Sequence, residues 1–213
     1  MVRYSVEDDT WKDMPCMTEK RCWCAASVLN GKIYVCGGSD TNIYHGKVHT
    51  PACFLDSVEC FDPKTSAWTL VKPMKMKRFH VALVAGPNTL YAIGGSDVPS
   101  MEVYHEATDD SDTNIYHGKV HTPARFLDSV ECFDPKTSAW TLVKPMKMKR
   151  FHVALVAGPN TLYAIGGSDV PSMEVYHEAT DEWEFLPLPD NFPLRGAGAV
   201  ALPMPVDELL NRA

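Results

Sequence analysis

Apolar residues fall in short runs punctuated by turn residues. Three stretches share one grammar: CAASVLNGKIYVCGG at 24–38, and VALVAGPNTLYAIGG at both 81–95 and 153–167. Each is an apolar run, a turn at Asn-Gly or Gly-Pro-Asn, and a second apolar run ending in Gly-Gly. That order predicts a β-hairpin. A variable loop follows Gly-Gly. After it, SVECFDPKTSAW at 57–68 and again at 129–140 alternates apolar and polar positions around Asp-Pro-Lys-Thr. This predicts a second hairpin carrying Val58, Cys60 and Trp68. Only the terminal VDELLNRA, 206–213, reads as a short helix or frayed end.

The spacing between these segments is regular. An Arg stands 16 residues before each Gly-Gly: Arg21 before Gly37, Arg78 before Gly94, Arg150 before Gly166. A Trp stands ten residues before each of those arginines, at Trp11, Trp68 and Trp140, and Trp183 with Arg195 repeats the pair at a gap of 12. A repeat of this kind means units that bury their faces against neighbours. One part of it is nearly exact copying. Residues 39–110 recur at 111–182, and only Cys53 against Arg125 and Asp110 against Glu182 differ. Loops are copied as faithfully as strands, which points to a recent segmental duplication or an assembly error rather than to selection for symmetry.

The Gly-Gly after the second strand, an aromatic near the third (Phe61, Tyr104, Phe133, Tyr176) and a Trp in the fourth (Trp68, Trp140, Trp183) resemble the kelch repeat, a four-stranded propeller blade. The DPKTSAWTLVKPM turn and the NGKIYVCGG hairpin look most like the kelch-like adaptors, which carry BTB and BACK domains ahead of the propeller. The resemblance covers roughly residues 5–203. It implies an all-β chain: a fragment of a kelch-type β-propeller with about three four-stranded blades and partial blades at both ends. The expected units are blades at about 24–71, 78–143 with a duplicated insert, and 150–187, with partial strands at 1–15 and 195–203. In the middle unit Met101–Tyr104 is expected as a third strand and Ser129–Phe133 as a second candidate for it, so that the unit carries one spare strand. Kelch propellers close with about six blades, within a general range of about 4–8. Three predict an open arc with exposed edges, part of a longer chain, or an oligomer.

Composition narrows the function. The net charge is −7 and the isoelectric point about 5.6. The lysines of 72–78 and 144–150 form only short runs, so nucleic acid is not the expected partner. Seven cysteines at irregular spacing fit free thiols in a reducing compartment. No apolar run approaches the roughly 18 residues of a membrane span, and residues 1–15 lack the apolar centre of a signal peptide. The chain reads as cytoplasmic.

A protein partner is therefore expected. In some kelch-like adaptors a basic residue at the start of the first strand faces the substrate, which makes Arg21, Arg78, Arg150 and Arg195 candidates, since an Arg fork grips carboxylates. The long loops 39–55 and 111–127 offer Tyr44, His45 and His49, and their copies Tyr116, His117 and His121. His45, His49 and Cys53 are not a convincing metal set, because Arg125 replaces the thiol in the copy. Cys16, Cys22 and Cys24 lack a second zinc-spaced pair. His80 and His152 read as half-buried histidines bonded to backbone within first strands. No cofactor is expected. Copper-oxidase chemistry needs converging Tyr and His ligands, and phosphate-loop, nucleophile-elbow and metalloprotease motifs are missing. The resemblance implies a substrate-binding module for a cullin-based ubiquitin ligase, with cullin engaged only if a BTB domain exists elsewhere in the full product. The alternatives are a scaffold for actin or another cytoskeletal partner, and a non-functional partial gene copy.

Overall fold

The computed structural model describes residues 1–40, 53–96, 126–167 and 171–188, and every regular element among them is a β-strand. They begin with a hairpin of β1 (Val2–Ser5) and β2 (Thr10–Asp13). The first blade is β3 (Ala25–Leu29), β4 (Lys32–Cys36), β5 (Val58–Asp62) and β6 (Ala67–Val71). The second is β7 (Ala82–Ala85), β8 (Leu90–Ile93), β9 (Val130–Asp134) and β10 (Ala139–Val143). The third is β11 (Ala154–Gly158), β12 (Thr161–Ile165), β13 (Met173–His177) and β14 (Glu182–Leu186). Each blade is an antiparallel meander in chain order.

Local chemistry explains the turns. Between β3 and β4, Asn30 and Gly31 both take left-handed backbone, φ 52° and 72°, as a two-residue turn of matching twist requires. Between β5 and β6, Asp62 accepts the Lys64 amide on its side chain and the Ser66 amide on its carbonyl. Ser66 then turns through positive φ. Asp134 holds Lys136 in the same way in the second copy.

The middle blade takes its third strand from the downstream copy. β8 pairs with β9, joining Leu90 to Phe133 and Ile93 to Val130. Val130–Asp134, within the second of the two expected candidates, is thus the strand in use, while Met101–Tyr104 lies outside the described residues. The choice follows from the fourth strand: only the downstream copy continues into Trp140, the large apolar residue that fills the gap between blades.

Among the described residues two apolar clusters form the core, each at a blade-to-blade contact. One joins Tyr34, Cys36, Val58 and Cys60 of the first blade to Leu90, Ala92, Phe133 and Trp140 of the second. The other joins Tyr91, Ile93 and Val130 to Leu162, Ala164, Tyr176 and Trp183 of the third. The tryptophans also lock neighbours by hydrogen bond. Trp68 Nε1 donates to the Pro15 carbonyl at 3.0 Å, Trp140 Nε1 to Lys72 at 2.9 Å and Trp183 Nε1 to Lys144 at 3.0 Å. No helix among the described residues is long and apolar enough to cross a membrane.

Candidate functional site

The repeated arginines do not face outward, contrary to the expectation drawn from the kelch-like adaptors. The side chains of Arg21, Arg78 and Arg150 are 0% exposed. Arg78 donates to the carbonyls of Gly94 (2.8 Å) and Ser129 (3.1 Å), to the Ser129 hydroxyl (2.9 Å), and to Glu131 from both Nε and Nη2. Arg150 does the same with Gly166, Ser172 and Glu174. Arg21 repeats it with Gly37, Ser57 and Glu59. The carboxylates in turn accept the backbone amides of the incoming connection: Glu59 from Thr18 and Glu19, Glu131 from Lys75 and Met76, Glu174 from Lys147 and Met148. Burial pushes Glu59 up, but those amides and Arg21 outweigh it and hold the group below the ordinary carboxylate range. These arginines therefore tie strand to connection, because a buried charge is tolerable only when its donors are fully used. Arg195 lies outside the described residues, as do Tyr44, His45, His49, Tyr116, His117 and His121.

The Gly-Gly pairs work beside the arginines. A Cβ on Gly94 (φ 63°) would sit 2.6 Å from the Arg150 carbonyl of the next blade. One on Gly95 (φ 89°) would sit 2.8 Å from the Phe79 carbonyl of its own blade. The Gly95 amide donates to the Arg150 carbonyl at 3.0 Å, as Gly38 does to Arg78 at 2.8 Å. One glycine thus admits the neighbouring blade, and the other admits its own first strand.

Two residues past each arginine the backbone turns left-handed at a bulky side chain: Trp23 (φ 58°), His80 (φ 54°) and His152 (φ 56°). Such conformations are strained for these residue types and concentrate where a side chain must be aimed. Three blades thereby bring three rings together. His80 lies 4.2 Å from Trp23 and 3.7 Å from His152 between ring centroids, and Trp23 and His152 are 6.1 Å apart. The two histidines precede β7 and β11 rather than sitting within them, and their ring nitrogens have no hydrogen-bond partner among the described residues. Burial, with His152 alongside, lowers His80 to about 3. Burial also lowers His152. Both stay neutral near pH 7. One signal along the chain marks this cluster: each ring follows its arginine by two residues.

The long loops are anchored at this same end. Ser39 bridges Cys22 and Phe54, and Ser96 bridges Phe79 and Phe126. Phe54 stacks on Phe79 at 4.8 Å and 4°, and Phe126 on Phe151 at 4.9 Å and 20°. Ser39, Phe54, Ser96 and Phe126, the described residues that flank 41–52 and 97–125, therefore lie beside the ring cluster. Burial raises Cys22 and Cys24 above the ordinary thiol range and pushes Cys36 up to about 12, so these groups stay protonated near pH 7. All seven cysteines are free thiols. No group of three or more His, Cys, Asp or Glu among the described residues is placed to hold a metal ion.

Kelch motifs match residues 20–75, 118–147 and 149–187, more than half of the chain. Kelch-like protein 26 of Danio rerio is 28% identical over 224 residues, covering 89% of this chain and 35% of that protein. Beta-scruin of Limulus polyphemus is 25% identical over 191 residues, covering 84% and 18%. The solved structure of YjhT superposes with a TM-score of 0.66 at 17% identity, covering 90% of this chain and 59% of that one, and speaks for the fold alone. The chain spans about a third, or less, of these two curated relatives.

Proposed function

The chain belongs to the kelch-repeat family, and from that premise we propose that it is a protein-interaction module of the substrate-recognition type, acting in the cytoplasm as the propeller of a kelch-like ubiquitin-ligase adaptor. One observation carries this reading: three blades rigidly aim Trp23, His80 and His152 at the end where both long loops are anchored. Rigid scaffolds that present loops beside aromatic side chains are built for recognition. The neutral histidines favour a partner segment with apolar and hydrogen-bonding groups over an acidic one. Tyr44, His45 and His49, with Tyr116, His117 and His121, are the loop residues proposed to extend the contact. Cullin engagement on this reading requires a BTB domain in the full product. No step of it calls for catalysis.

A second reading is a scaffold for actin or another cytoskeletal partner, and the likeness to beta-scruin favours it. Proximity labelling with the chain, and with a variant carrying alanine at His80, His152 and the six loop positions, separates the two. The adaptor reading expects partners that drop out in the variant and accumulate when cullin activation is blocked. Cosedimentation of the parent chain with actin filaments supports the scaffold instead. An unchanged partner set in the variant removes this surface from either role.

A further inference from the structure

We infer that a second copy of this chain docks head to tail, the β1–β2 hairpin of one copy packing on the outward face of the third blade of the other. The tryptophans set up the argument. Each occupies one register, opposite an aromatic of the preceding strand: Trp11 opposite Tyr4, Trp68 opposite Phe61, Trp140 opposite Phe133, Trp183 opposite Tyr176. Each of the last three donates its indole N–H to the carbonyl four residues past the previous tryptophan, at Pro15, Lys72 and Lys144. Among the described residues the series leaves one donor and one acceptor over. Trp11 is 70% exposed, and its indole N–H meets no acceptor among the described residues. Pro187, four residues past Trp183, has a carbonyl that receives no donor among them.

The duplication supplies an internal control for the apolar surface. Strands β8 and β12 carry the same Leu-Tyr-Ala-Ile. In the second blade Tyr91 and Ile93 are 5% and 0% exposed, because the third blade covers them. In the third blade the identical Tyr163 and Ile165 are only half-buried. At the other end, Val2, Tyr4 and Val6 lie exposed beside Trp11. The two open faces are thus the two halves of an interface the fold already forms between its own blades. Their union is heterologous, so it closes if the rotation permits and otherwise extends.

Sedimentation equilibrium on the whole 213-residue chain over a concentration series tests this. The expected result is reversible association, with the dissociation constant raised roughly tenfold or more in Trp11→Ala and in Tyr163→Glu, as for buried aromatic anchors. Mixing the two variants restores association, because an intact hairpin meets an intact third blade. Leu142→Ser, on the exposed outer rim, leaves it unchanged. A monomer at every concentration overturns the inference. So does association that neither variant weakens, or variants whose mixture stays apart although their circular dichroism is that of the parent chain.

Discussion

Replacing Arg78 by Met separates a structural arginine from a partner-binding one. The substitution keeps an unbranched chain of similar length and removes a guanidinium that donates to Glu131, Ser129 and Gly94. Glu131 would remain, 0% exposed, with only the Lys75 and Met76 amides to stabilise its charge. Removing one partner of a buried ion pair costs about 3–5 kcal/mol. For a chain of this size that lowers the melting midpoint by roughly 6–20 °C. Urea denaturation followed by circular dichroism measures the cost, and Glu131→Gln completes a double-mutant cycle. With both charges gone no orphan is left, so the double variant should be more stable than the sum of the singles by at least about 1 kcal/mol. A loss under about 1 kcal/mol in Arg78→Met, or strict additivity in the cycle, refutes the reasoning.

Two further outcomes follow from the same contacts. Gly94→Ala forces a Cβ against the Arg150 carbonyl at positive φ, and should cost roughly 2 kcal/mol or more, while Gly86→Ala, whose φ is not positive, should cost less in the same urea titration. His80 is held neutral in the fold, its pKa falling from 6.5 to about 3. The unfolded chain therefore binds a proton that the folded one refuses. Its contribution is complete above about pH 6.5 and is lost as pH falls toward about 3. His80→Asn, which tolerates the left-handed backbone, should lose less stability between pH 7 and pH 5 than the parent; an equal loss in both places the proton elsewhere.

Strands and turns were legible in the sequence because their signals are local. Alternation, Asn-Gly and Asp-Pro-Lys-Thr each act within a few residues, and the Trp and Gly-Gly spacings expose the blade as a unit. The arginines were found but misassigned. Spacing locates Arg78, yet nothing in the chain nearby says that Glu131, 53 residues away, will bury it. The same limit hid the strand choice. MEVYH at 101–105 and VECFD at 130–134 are both competent third strands by pattern, and only the packing of Trp140 against the first blade selects between them.

The sequence alone determined the all-β class, the blade repeat and the residues that punctuate it, since these depend on backbone preference and apolar period. Which side chains lie inside was set by the packing of blade on blade. The fold turned three arginines from candidate contacts into buried ties, gathered Trp23, His80 and His152 into one cluster, and gave identical tyrosines different exposure in consecutive blades. Burial is a property of neighbours, and in a stacked repeat the neighbour of each face is set by assembly rather than by the local chain.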